Sequence, residues 1–201
     1  MAEVNYSVER DLEEAQAMVD SLERYVRGSE IYGRAGSGGM FSMTQMPSLT
    51  LGALLMRLQR LQALRDTLTP EQQSQLDHML AANERVHQEW HEHYQAKLER
   101  EAISRLKAMS IFFEELRDNP KMAASSYQPE ALRRTIAQVL HDEMKKLDLH
   151  AEHVESEMAG VDSRLRRWFN KGPFIWAKTL EAAYPENKYW WLYVQPKADR
   201  A

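Results

Sequence analysis

The chain has 201 residues, of which 43% are apolar and 28% charged, a balance that suits one globular domain with a sizeable core and many solvated helix faces. A net charge of −4 and a pI near 6.0 give no whole-chain pull toward nucleic acid or anionic lipid. The absence of cysteine excludes a disulfide framework, a thiolate metal site and a cysteine nucleophile. The opening MAEVNYSVERDLEEAQ is acidic where a signal peptide is basic, and no run of about 18 apolar residues occurs, so a cytoplasmic protein is expected.

Helical periodicity runs through most of the chain. Val8, Leu12, Ala15, Val19, Leu22 and Val26 step alternately by four and three, which predicts a first helix over about 7 to 27 with Gly28 as a left-handed C-cap. A connector over 29–47 follows, containing YGRAGSGGMFSM. A second helix after Pro47-Ser48 carries leucines at 51, 54, 55, 58, 61, 64 and 68, with Arg57, Arg60 and Arg65 largely on its polar side. Thr69-Pro70-Glu71-Gln72 supplies an N-cap threonine, proline at the first helical position and glutamine at N3, so a new helix starts there.

From Pro70 the pattern runs unbroken to Arg117, through Leu76, Leu80, Trp90, Tyr94, Leu98, Ala102, Leu106, Met109, Phe113 and Leu116. Asp118-Asn119-Pro120 ends it. Pro129 is expected to open a fourth helix, which continues to Trp168 before Lys171-Gly172-Pro173 stops it. FIWAKTLEAAYP suggests one short helix, and NKYWWLYV an extended aromatic tail across the bundle. The expected fold is all-α: a long antiparallel helical hairpin of coiled-coil type, with a second, shorter hairpin packed on it and an aromatic C-terminal tail. Residues 1–173 form the bundle and 174–201 the tail or a short helix packed on it.

The glycine-rich stretch does not fit a phosphate loop: a helix precedes it, no GK[ST] follows, and the first lysine of the chain is Lys97. Met40, Met43 and Met46 beside Phe41 make an adaptable apolar flap rather than a copper site. Glu84 and His87 match one ExxH element, but a di-iron bundle needs two, so Asn83 and His87 are expected as a hydrogen-bonded polar layer in the core. In the predicted hairpin His93 stands level with His150 and His153, a set that would suit zinc only if their flanks face one another. They are expected as separate histidines.

No GxSxG or HExxH is present, and adjacent acids such as Glu13-Glu14 and Glu114-Glu115 point about 100° apart on a helix, so no catalytic, cofactor or metal residue is assigned. The arginines at 164, 166 and 167 with Lys171 lie at the hairpin end that Arg57, Arg60 and Arg65 approach, but no nucleic-acid module is evident, and a salt-bridged face is expected. The long stripes exceed what the short hairpin covers, which points to a protein partner or self-association. Candidate partner residues are Met40, Phe41, Met43, Trp176, Tyr189, Trp190, Trp191 and Tyr193, since tryptophan and tyrosine dominate interface hot spots. The expected function is a non-enzymatic helical interaction or scaffold protein, homo-oligomeric or a subunit of a complex. The alternative is a helical-bundle protein that binds a small ligand or metal, with possible enzymatic activity.

Overall fold

Ser7 has extended backbone, and its hydroxyl accepts from the Arg10 amide, which starts α1 (Val8–Asp20) with Glu9 and Asp11 in the favourable first turn. In the computed structural model, which describes residues 3–36 and 47–197, α1 is followed by α2 (Leu22–Arg27) after a bend at Ser21. Gly28 is the C-cap, but with φ −76° and ψ 168° it is extended rather than left-handed. A short antiparallel pair joins β1 (Gly33–Arg34) to β2 (Ser48–Leu49), so the expected connector is a hairpin at its base. Thr50 then caps α3 (Leu51–Ala63) by accepting from the Ala53 amide.

The capping box predicted at Thr69 is present, with Thr69 and Gln72 satisfying each other's backbone amides at the start of α4 (Pro70–Glu89). The helical run expected to reach Arg117 is interrupted at Trp90, whose φ −123° and ψ 38° separate α4 from α5 (His91–Asp118). Its indole lies under Arg27, with the guanidinium carbon 4.6 Å from the ring centroid.

The next helix, α6 (Ala123–Lys146), starts six residues earlier than expected and holds Pro129 within it. It stops well before Trp168. Leu149 N–H donates to Met144 O at 2.9 Å and Asp148 N–H to Lys145 O at 3.1 Å, and Asp148 has φ 53°. That bond pair is a Schellman motif with aspartate in the left-handed position that glycine usually takes. The chain resumes as α7 (Glu152–Trp168).

By packing the chain forms two compact units. One is Ser7–Glu101, and the other comprises the described parts of Met1–Tyr6 and Ala102–Ala201, so the division falls inside α5. In the first unit α1, α3 and α4 pack against one another. Residues 51–58 of α3 are all buried, and so are Arg60 and Leu61. Arg57 and Arg60 therefore do not lie on a solvated face: Arg60 is 1% exposed and pairs through two nitrogens with Asp11, while Arg57 Nη2 lies 2.5 Å from Glu14 Oε2. A buried guanidinium persists only when paired, and α1 provides the carboxylates.

In the second unit the stripes of α5, α6 and α7 are covered, and the C-terminal segment is folded rather than simply extended. The strand β3 (Phe169–Lys171) pairs antiparallel with β4 (Val194–Pro196), and single 3-10 stretches occupy Lys178–Ala183 and Trp190–Leu192. Gly172 follows β3 and donates to Tyr193 O at 2.8 Å; a Cβ there would stand 2.8 Å from the backbone of Val194 and Gln195. Among the described residues the only large apolar side chains left exposed are Val4, Tyr32 and Ile111. Among the described residues the surplus apolar stripe expected from the sequence is not found: α5 buries Tyr94, Leu98, Leu106, Met109, Phe113 and Leu116.

Candidate functional site

The residues expected to meet a partner fall into three groups. Met40, Phe41 and Met43 lie outside the described residues. Trp176, Tyr189 and Trp191 are buried within their own unit, at 5%, 1% and 1% exposure. Their rings form an edge-on chain with Tyr184, at centroid separations of 5.1 Å from Trp176 to Tyr184, 5.0 Å from Tyr184 to Tyr189 and 5.5 Å from Tyr189 to Trp191. Trp191 Nε1 donates to Thr135 Oγ1 at 3.0 Å, its carbonyl accepts from Tyr127 at 2.7 Å, and Arg134 covers its face at 3.9 Å while chelating Asp162. This cluster seals the α6 side of the unit. Only Trp190 and Tyr193 are half-exposed, with Arg166 stacked 3.9 Å over Trp190 and Tyr193 donating to Tyr184 O at 2.9 Å.

His93, His150 and His153 are exposed, and among the described residues no group of three His, Asp or Glu side chains stands at metal-binding distance. Asn83 is a buried, hydrogen-bonded polar group, as expected, its Oδ1 accepting from the Tyr94 hydroxyl at 3.1 Å; His87, expected in the same hydrogen-bonded layer, instead sets its ring 5.1 Å from that of Tyr94 with its buried Nδ1 making no hydrogen bond among the described residues. Arg57 and Arg60, expected on a polar helix face, are buried within their own unit.

Two features of the Ser7–Glu101 unit escape inspection of the sequence. The first is a clamp at the base of the glycine-rich hairpin. Lys97 is buried, donates to Glu30 O at 2.5 Å and sits 4.2 Å from the Tyr25 ring centroid; burial, then repulsion from Arg100, hold its pKa below the usual lysine value. One turn on, Glu101 accepts the Gly52 amide at 2.9 Å, which places a carboxylate at the start of α3. Tyr25 also packs flat on Gly33, where a Cβ would lie 2.7 Å from its ring. The clamp thus holds both flanks of the hairpin to α5.

The second feature is an open groove between α1 and α4. It consists of two adjoining cavities of about 510 and 320 Å³ that share Gln16 and Asp20. On one side Glu9, Glu13, Gln16 and Asp20 step by four, three and four, which keeps them on one line of α1, and Glu23 of α2 follows beyond the bend. The facing stripe on α4 is Gln72, Gln75, His78, Ala82 and Arg85. Leu12, Ala17, Val19 and Val86 supply the apolar floor. The sequence signal was the spacing of the acids; what it lacked was the facing of α4.

No family model, curated protein or solved structure matches this chain. Among the described residues no helix is long and apolar enough to cross a membrane.

Proposed function

We propose that this chain is a non-enzymatic helical interaction protein of the cytoplasm, a scaffold or subunit that receives a helix of a protein partner in the groove between α1 and α4. The reading rests on shape. Two neighbouring helices present polar stripes at helical spacing, that of α1 running about 16 Å, the rise of the eleven residue steps from Glu9 to Asp20. That is the geometry into which a third helix packs, with side chains set between two rows. Both stripes are rich in polar side chains over a shallow apolar floor, which suits a helix that docks reversibly.

The test is a photo-reactive amino acid placed at Gln16 or Gln75 in the full chain, expressed in its native cells. A discrete protein adduct is expected from both positions and none from Glu92, which is exposed on α5. Absence of any adduct at Gln16 and Gln75 refutes the reading. A light-scattering mass of the pure chain then separates a self-associating scaffold from a subunit of a mixed complex.

A further inference from the structure

The charges around this groove are not balanced within the unit. Glu9 accepts from the Ser7 hydroxyl at 2.7 Å, which holds its pKa below the usual glutamate value, and Asp20 accepts from the Gln16 amide at 2.8 Å. Neither has a cationic partner among the described residues, and Glu13 has no partner at all among them. The larger cavity is thus bordered by three carboxylates facing the neutral amides of Gln72 and Gln75. Along the smaller cavity Asp20 and Glu23 face His78 and Arg85, and Glu23 is also 3.7 Å from Arg27.

The neighbouring arginines are committed to other carboxylates of α1. Arg57 and Arg60 are buried against Asp11 and Glu14, and Arg10 binds Glu14 at 2.7 Å. The helix therefore has one saturated acidic side and one that is open.

We propose that the groove takes a cationic amphipathic helix of a protein partner, with lysine or arginine spaced by four and seven residues over Glu9, Glu13 and Asp20 and apolar side chains on the floor at Leu12, Ala17 and Val19. This inference rests on the docking function proposed above and adds the chemistry of the occupant. The charge pattern also sets polarity. Cations of the partner lie over the larger cavity, while the segment near Arg85 is neutral or acidic. Complementary charge of this kind governs partner choice and on-rate.

The test uses the full chain and two synthetic helix-forming peptides of about 18 residues, long enough to line the groove. Both carry a leucine stripe; one is flanked by lysines and its twin by glutamates, and each is labelled for fluorescence anisotropy. The lysine peptide is expected to bind and the glutamate twin not to. Glu13→Lys with Asp20→Lys should weaken binding about tenfold or more, and raising salt from about 0.05 to 0.3 M should weaken it severalfold. Glu89→Lys with Glu92→Lys alters net charge equally on exposed positions outside the groove and should change affinity less than about twofold. Glu9→Gln with Glu13→Gln, checked by circular dichroism for an intact fold, guards against a folding artefact of charge reversal.

Equal binding of the two peptides, equal loss in the control, or no binding overturns the inference. So does a dimer that Asp20→Lys dissolves, since the occupant is then a second copy. Cross-linked adducts at Gln16 and Gln75 without any preference for the lysine peptide leave the docking function standing and remove the cationic chemistry alone.

Discussion

Trp190 and Trp191 are adjacent, yet replacing each with alanine should have very different consequences. Trp191 is 1% exposed, and its removal takes away a large buried ring, the donor to Thr135 Oγ1 and the surface over which Arg134 lies. Loss of a buried aromatic costs about 3–5 kcal/mol. Trp190 is half-exposed and covered on one face by Arg166, so its loss removes about 0.5–1 kcal/mol of cation–π attraction together with part of a ring's burial, about 1–2 kcal/mol in all. For a chain of this size each kcal/mol lowers Tm by about 2–4 °C. Trp191→Ala should therefore lower the melting temperature by roughly 6–20 °C, and Trp190→Ala by about a third of that. Trp191→Phe keeps a ring beneath Arg134 but not the bond to Thr135, and it should fall between them. Thermal melts followed by circular dichroism on the full chain measure all three. Equal losses for the two alanine variants, or a larger one for Trp190, would refute the placement of these rings.

Arg60→Ala leaves Asp11 buried without the guanidinium that binds it through two nitrogens, and should cost about 3–5 kcal/mol by urea denaturation; adding Asp11→Asn should recover part of it, and a loss below about 1 kcal/mol sinks the buried pair. Burial pushes the Glu14 carboxyl up, but Arg57 and Arg10 outweigh burial and hold it below its ordinary 4.5. A depressed carboxylate contributes stability above that value and loses it as pH falls, so the urea midpoint should drop between about pH 5 and 3, with a shallower drop in Glu14→Gln. Identical slopes in the two chains count against the pairing. Gly172→Ala drives a Cβ into the backbone of Val194 and Gln195, and should cost about 1–3 kcal/mol and speed amide exchange across β4; unchanged exchange counts against that close approach.

The apolar stripes and the Thr69 capping box are readable in the sequence, because each depends on residues close in the chain. What the sequence hides depends on partners far away or on an unusual residue in a familiar place. The stop after Lys146 is a Schellman motif with Asp148 where glycine is expected, and the apolar period continues through it, so nothing in the pattern marks the break. The two tryptophans are expected to differ because strand neighbours face opposite sides. Their difference arises instead from one 3-10 turn that sends Trp191 against α6 and Trp190 outward under Arg166. Arg60 lies almost opposite the leucine stripe of α3 by helical phase, and is buried only because an acidic helix covers that side.

The acids of α1 show how spacing can be legible while facing is not. At about 100° per residue, Glu9, Glu13, Gln16 and Asp20 fall within an arc of roughly 60°, while Glu14 lies about 140° round from Glu9. The apolar residues Val8, Leu12, Ala15 and Val19 centre about 90° from Glu9 and about 130° from Glu14, so phase alone puts Glu9 nearer the core. The structure reverses that order, with Glu14 buried and Glu9 exposed. The deciding group is Arg57, 43 positions further on, whose guanidinium binds Glu14 and makes its burial tolerable. Among the described residues no cation is paired with Glu9, Glu13 or Asp20, and burying them would cost several kcal/mol per carboxylate, so that arc stays at the surface. A carboxylate kept in water without a cation is one that a partner's lysine or arginine can engage without first breaking an internal pair. The placement of two arginines in α3 thus determines which acids of α1 are buried in ion pairs and which stay at the surface.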